Sequence, residues 1–338
     1  MKILIVLPGG IGNAVMFTPA FASLVKSFPE SEFYMLTSGL GANRIFEPSN
    51  KIKRFFFYDS FSKSSFLKTL FNILIFHKFD VFISSMGINP LKSGILALFS
   101  KAGVRCGESS CLFNKRTEPD LKKHEVERNL KIIEEICPAD SIVKSLQFYY
   151  KKDDAIQSEK ILKETGLNSE KIRLIGAHIG SNDFLAAKRW NIENFKKLFS
   201  EIEKINPDVK ILLLGGSNEF EYAKSVSGKN TINLTGKTNL QTAGLIIKKC
   251  AAFISNDSGL MHIAASVKTP VIAIFGPTII SKNRPYSENS EIISENLDCQ
   301  PCYKYNKKII CPNNFKCMND ITVEKVLPSV AKYLSPVF

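Results

Sequence analysis

Five segments of this chain combine residue types and spacings that can do chemistry. Leu7-Pro8-Gly9-Gly10-Ile11-Gly12-Asn13 is a glycine-rich turn in which Gly10 and Gly12 let the backbone approach a ligand and expose amide N–H groups. His178-Ile179-Gly180-Ser181-Asn182-Asp183 leads to Ala187-Lys188-Arg189-Trp190, which sets Ser181, Lys188 and Arg189 where phosphates are usually met. A lysine and an arginine just before a helix can face a diphosphate, each charge-assisted contact contributing roughly 1.5–3 kcal/mol. Ser255-Asn256-Asp257-Ser258-Gly259-Leu260-Met261-His262 opens another helix. Asp257 or Ser258 can cap it, and free N–H groups at Ser258 and Gly259 present the positive end of its dipole, a diphosphate site that needs no metal. In Leu214-Gly215-Gly216-Ser217-Asn218-Glu219 the acidic residue suits ribose hydroxyls. Finally, Cys299, Cys302, Cys311 and Cys317 bring four thiols within nineteen residues, a spacing that fits structural zinc, thiolate-bound iron or disulfides.

Each segment also has a plainer reading. A tight strand-to-helix turn accounts for the first loop. A dinucleotide fingerprint is disfavoured there, because Gly10-Ile11-Gly12-Asn13-Ala14-Val15 lacks the third glycine and Leu36-Thr37-Ser38 lacks the acidic residue. Solvation alone explains Lys188 and Glu219, capping explains Asp257, and a satisfied core position explains His262. Trp190, the one tryptophan, packs its helix onto the sheet. Thr18-Pro19 reads as a helix cap with proline in the first turn, or as a kink. Cys106, Cys111, Cys137 and Cys250 read as buried or incidental.

Such loops need a scaffold that presents strand ends. The 338 residues are 44% hydrophobic and 23% charged, which excludes a disordered chain, a collagen-like fibre and a membrane-spanning bundle. The most apolar stretch, 66–79, is broken by Lys68, Asn72, His77 and Lys78 and falls short of the roughly 18 residues a spanning helix needs. A net charge of +13, spread over both halves, fits anionic small molecules, an anionic membrane surface or nucleic acid. No basic motif interleaved with aromatics marks a nucleic-acid site. The apolar run after Met1-Lys2 is ended by Pro8-Gly9-Gly10, so it reads as a buried first strand and not as a signal peptide, and the chain is expected in the cytoplasm.

Short β-rich runs alternate with helical patterns throughout, the mark of parallel sheets with crossover helices. Strands are expected at 3–7, 32–36, 54–58 and 80–84, then at 173–178, 210–214, 252–255 and 271–275. The fold class is therefore α/β, with two doubly wound Rossmann-like domains, 1–155 and 156–338, facing a central cleft. The linker falls at 150–170, where Gly166 caps a helix. Ligands of such domains sit at the carboxyl ends of the strands.

Taken together, the loops resemble glycosyltransferase family 9, the bacterial lipopolysaccharide heptosyltransferases. The pieces are Gly10-Ile11-Gly12-Asn13 through Thr18-Pro19, His124-Glu125-Val126-Glu127-Arg128-Asn129, Lys188-Arg189-Trp190, Gly215-Gly216-Ser217-Asn218-Glu219, Asn256 through Ala265, and Phe275-Gly276-Pro277-Thr278. The four-cysteine segment before a final helix is similar to a variant common in that family. The resemblance implies a GT-B fold and inverting transfer of heptose from ADP-heptose to a lipid-anchored core oligosaccharide at the inner face of the cytoplasmic membrane. Peripheral membrane contact through the basic first domain and the phenylalanine-rich 61–79 region would accompany it.

By the same resemblance the first domain binds the acceptor and the second the donor. Lys188 holds the donor phosphates, Asp257 the sugar, Ser258, Gly259 and His262 the diphosphate end, and Glu219 the ribose. A helix from about Thr322 crosses back to the first domain. One departure stands out: the family's catalytic base is an aspartate where this chain has Asn13, and an amide cannot accept a proton at neutral pH. Another carboxylate could serve, Glu108 and Glu127 being candidates, or the reaction could rest on stabilising the departing diphosphate and the positively charged sugar. Rival readings are a catalytically silent sugar- or nucleotide-sugar-binding protein, a nucleotide-sugar epimerase of the same architecture, and a transferase with another donor or a protein acceptor.

Overall fold

Runs of β-branched and aromatic residues alternate with helical segments from the first residue onward, and they build two separate parallel sheets. The computed structural model of the chain describes residues 1–38, 41–58, 63–76, 78–167, 172–180, 187–226, 228–303 and 310–334. The chain divides into two compact units, Met1–Tyr149 and Tyr150–Phe338.

The first unit has strands β1 (Lys2–Leu7), β2 (Glu32–Ser38), β3 (Ile52–Tyr58), β4 (Val81–Ser84), β5 (Val104–Glu108) and β6 (Lys115–Thr117). Its helices are α1 (Ile11–Ser27), α2 (Asn43–Phe46), α3 (Lys63–Phe76), α4 (Pro90–Phe99) and α5 (Glu125–Ile133). The sheet order is β3-β2-β1-β4-β5-β6, every pairing parallel. Ile3, Leu4 and Ile5 are fully buried, as a central strand covered on both faces requires. Helix α1 begins at Ile11 with Gly10 as its cap and runs on through Pro19. Thr18-Pro19 is therefore no helix start. Val15, Phe17, Ala20, Phe21 and Leu24 are all buried, and that packing outweighs the roughly 3 kcal/mol a mid-helix proline costs.

The second unit has strands β7 (Leu174–His178), β8 (Lys210–Leu213), β9 (Thr231–Asn233), β10 (Ala252–Asn256), β11 (Val271–Ile274) and β12 (Ser290–Ile293). Its helices are α6 (Lys152–Glu164), α7 (Ile192–Ile205), α8 (Phe220–Lys224), α9 (Leu240–Lys248), α10 (Gly259–Ser266), α11 (Ile280–Asn283), α12 (Lys316–Asn319) and α13 (Val323–Ala331). The order β12-β11-β10-β7-β8-β9 is again all parallel. Counted from its own first strand it is the same doubly wound order as the first sheet. The sequence order of the strands reverses once in each sheet, between β1 and β4 and between β7 and β10, and ligands of doubly wound sheets bind at such points.

The second unit begins ahead of the expected 155/156 boundary because α6 starts at Lys152 and packs on α9. Gly166, at φ +71°, follows the end of α6 and turns the chain. The final helix is built into the second unit's own core. Its Val323, Val326 and Val330, at helical spacing, are buried in the same cluster as Phe195, Leu198 and Ile202 of α7.

Candidate active site

In the second unit the two central strands end in a connected set of polar side chains. The β10 strand closes on Asn256, whose side chain is fully buried. Asn256 Nδ2 donates to the carbonyls of Ile179 (2.9 Å) and Gly180 (3.1 Å), and its Oδ1 accepts from Trp190 N at 3.0 Å. One side chain thus ties the loop after β7 to the segment carrying Lys188 and Arg189. Trp190 anchors that segment: it is fully buried, donates Nε1 to Ile321 O at 2.8 Å and meets Phe195 edge-on.

Lys188 and Asp257, the two charges singled out from the sequence, form an ion pair with Nζ 2.8 Å from Oδ2. Their side chains are 11% and 8% exposed, so the pair is shielded from water and its attraction is stronger than a surface pair's. Lys188 also sits over the Tyr303 ring, 4.8 Å from its centroid. Ser258 caps α10 by accepting from Met261 N, which leaves Gly259 as the first helical residue and aims the helix's positive end at this region. His262 lies one turn in and is buried.

Glu219 reaches the same centre through His178. The imidazole Nε2 is 3.1–3.2 Å from both carboxylate oxygens of Glu219, and Nδ1 is 2.9 Å from Ser258 Oγ. A carboxylate only accepts, so Nε2 carries the hydrogen. Gly216 N donates to the Glu219 carboxylate at 2.8 Å, and a Cβ at Gly180 or Gly215 would collide with it. Burial pushes the Glu219 carboxyl up, but the bond and charge of His178, the Gly216 N–H and nearby Arg189 together hold it below its usual value near 4.5. Arg189 itself lies over Tyr222, 5.4 Å from the ring centroid. Ser181 lies outside the described residues.

The first unit presents a second polar set at the ends of β1 and β4. Gly10 caps α1 and Gly12 and Asn13 fall in its first turn, so these residues belong to this set. Asn13 Nδ2 donates to Glu125 Oε2 at 3.3 Å. Arg128 clasps Glu108 with two bonds, Nε to Oε1 at 2.9 Å and an Nη to Oε2 at 2.6 Å, both side chains nearly buried. Asn129 Oδ1 accepts from Met86 N just past β4. Glu108, considered as a replacement base, is thus neutralised by a guanidinium.

The metal centre expected at the four cysteines finds no support among the described residues. Among the described residues no group of three or more His, Cys, Asp or Glu side chains could hold a metal ion, and all eight cysteines are free thiols. Cys299 and Cys302 are exposed, Cys311 is half-buried and Cys317 is buried beside Gly276. Burial, reinforced by the neighbouring thiols, pushes Cys317 up to about 11 and Cys302 above its usual value. Cys106, Cys137 and Cys250 are buried and Cys111 is exposed.

Two organising residues, Asn256 and His178, carry no role in the sequence reading although both stand inside the quoted loops. Glu125, inside His124-Glu125-Val126-Glu127-Arg128-Asn129, carries none either, the candidates there being Glu108 and Glu127; only the fold brings Glu125 to Asn13.

Two doubly wound units, with a shielded Lys–Asp pair and a helix N-terminus at the switch point of the second, define a glycosyltransferase with a GT-B-like fold. The glycosyltransferase family 9 (heptosyltransferase) pattern matches residues 69–311, and the chain belongs to that family. It is 30% identical to lipooligosaccharide heptosyltransferase 2 of Campylobacter jejuni serotype O:6, over 99% of this chain and all of that one. It shares its fold with the glycosyl transferase family 9 structure from Veillonella parvula (TM-score 0.79, 24% identity, 98% of this chain and 97% of that one). The E. coli ADP-heptose lps heptosyltransferase II structure also has this fold (TM-score 0.71, 21% identity, 99% and 98%).

Because Glu219 is held ionised in the folded protein, its contribution to stability is present above its usual pKa and is lost as pH falls through the depressed folded value. Below about pH 4.5, Glu219→Gln should remove up to about 1.4 kcal/mol per pH unit of the acid sensitivity of the second unit. Denaturation followed by the fluorescence of Trp190 at several pH values checks this, since that tryptophan reports on the second unit alone.

Proposed function

We propose that this glycosyltransferase moves heptose from ADP-heptose to a lipopolysaccharide-core acceptor, by direct displacement with inversion at the anomeric carbon. The observation that carries this is the Lys188–Asp257 pair beside the capped start of α10. A lysine ammonium, backbone N–H groups and a helix dipole are what a departing diphosphate needs, and they stabilise charge as it develops. In this reading Lys188 and Arg189 hold the diphosphate with Ser258, Gly259 and His262. Asp257, released from Lys188 when the diphosphate engages it, faces the positively charged sugar. Glu219, turned inward by His178, takes the ribose hydroxyls. Gly10 and Gly12, at the start of α1, take part in donor binding through their backbone N–H groups. The relatives' names, a lipooligosaccharide heptosyltransferase and an ADP-heptose lps heptosyltransferase, support the choice of donor and acceptor.

The acceptor in this reading is anionic and lipid-anchored, and peripheral contact with the inner face of the cytoplasmic membrane belongs to the proposal. Among the described residues no helix is long and apolar enough to cross a membrane. Leu67 and Phe71 on α3 and Leu91 on α4 are each more than 60% exposed, and Lys68 and Lys92 stand beside them. Helices α3 and α4 pack together, so exposed apolar and basic groups share one part of the first unit. Flotation with anionic vesicles should carry the protein along, and Leu67→Ser with Phe71→Ser should leave it behind; equal flotation of both chains would overturn the membrane contact.

For the reaction itself, ADP-, GDP-, UDP- and dTDP-sugars are offered with and without a core-oligosaccharide acceptor. Acceptor-dependent release of ADP from ADP-heptose is expected. Release from a donor with another base identifies a different donor, and conversion of the donor without acceptor turns the reading toward an epimerase.

A further inference from the structure

The first unit carries an amide at position 13, yet it holds a carboxylate against that amide. Asn13 is the third residue of α1, one turn past the end of β1, and donates Nδ2 to Glu125 Oε2 at 3.3 Å. Gly9, at φ +102°, folds the preceding loop onto it: a Cβ there would lie 3.0 Å from Asn13 Cγ. Asn13 is therefore fixed by the loop as well as by its hydrogen bond. Glu125 opens α5 and is 4% exposed, set in place by His124, whose Nδ1 accepts from Val126 N at 3.1 Å. The neighbouring carboxylates are differently placed. Arg128 clasps Glu108, and Glu127, two residues along the helix, projects about 200° away from Glu125.

We propose that Glu125 is the general base of this transferase and that Asn13 holds its carboxylate in position. This rests on the direct displacement described under Proposed function. The acceptor hydroxyl oxygen forms a bond to the anomeric carbon of the donor sugar, and the bond from that carbon to the diphosphate oxygen breaks, its electron pair leaving on the nucleoside diphosphate. The hydroxyl proton passes to the Glu125 carboxylate, which releases it to solvent afterwards. An amide has no basic lone pair for that proton; a carboxylate at hydrogen-bond distance from position 13 does. The general base is thus moved from the first helix of the unit to its fifth while serving the same neighbourhood.

The test uses the full chain in four forms: wild type, Glu125→Gln, Asn13→Asp, and the two substitutions together. Glutamine keeps an acceptor oxygen for Asn13 Nδ2, so the local packing survives; thermal melting and the dissociation constant for ADP, read by titration, verify it. Glu125→Gln should lower kcat by roughly 10²–10⁴-fold with ADP affinity unchanged, the range general-base catalysis supplies. Adding Asn13→Asp to it should restore turnover, because a carboxylate returns to position 13. Wild-type turnover in Glu125→Gln overturns the proposal, and so does a loss that Asn13→Asp does not repair. A silent wild type that Asn13→Asp awakens overturns it too, while leaving the transferase reading intact for the altered chain. Silence of both wild type and Asn13→Asp across the donor panel overturns the transferase reading itself and this inference with it.

Discussion

The second unit is organised around two opposite charges that have left water together. Lys188 and Asp257 are too well shielded to stand alone, since a buried charge without its partner costs several kcal/mol, so each fixes where the other must be. Asp257 follows directly on β10, the strand at the switch point, and its position is set by the sheet. Lys188 arrives from a connecting segment, and its position has to be secured by other means. Asn256 binds the backbone of Trp190 and the carbonyls after β7, and the Trp190 ring is sunk in the core beneath α7 and α13. An ion pair of this kind is a reserve of binding power for an anion. In the proposed reaction, a diphosphate that engages the ammonium frees the Asp257 carboxylate for the sugar without leaving either charge unpaired.

His178 ties Glu219 to the same centre. Its two ring nitrogens span from the Glu219 carboxylate to the Ser258 hydroxyl, and Ser258 is the residue that caps α10. Glu219 and the N-terminus of α10 are therefore two hydrogen bonds apart. In the first unit the carboxylates are sorted by their partners instead. Glu108 is neutralised by Arg128, a structural pairing between β5 and α5, and Glu125 accepts a hydrogen bond from the amide of Asn13. Neighbouring acidic groups with different partners take different roles.

Much of this was legible in the sequence, and what was not has identifiable causes. The central strands announce themselves because a parallel sheet covered on both faces demands unbroken apolar runs, as Ile3 to Leu7 and Ile211 to Leu213 show. The edge and near-edge strands β5, β6, β9 and β12 went unseen. They are three to five residues long and carry polar residues such as Arg105, Lys115, Asn233 and Glu291, as edges commonly do. Thr18-Pro19 misled because local propensity signals a helix start, while packing of α1 on the sheet overrides it. The final helix follows its valine stripe into the nearest apolar face, that of α7. Lys188, Asp257 and Glu219 could be singled out because each stands in a segment that follows a strand or leads into a helix. Their connection through His178 and Asn256 depends on distances across the sheet that no one-dimensional spacing encodes. The same holds for Glu125, more than a hundred residues from Asn13, and for the cysteines, whose spacing suits a metal but whose side chains differ in depth.

The central claim is that the second unit binds a nucleoside diphosphate through the Lys188 ammonium. Calorimetric titration of the full chain with ADP and with adenosine, on wild type and Lys188→Ala, tests it most directly. The account predicts that wild type prefers ADP over adenosine, and that Lys188→Ala loses roughly 10–100-fold in ADP affinity while its adenosine affinity is unchanged, as the loss of one charge-assisted contact requires. Equal affinity of the two chains for ADP would contradict it.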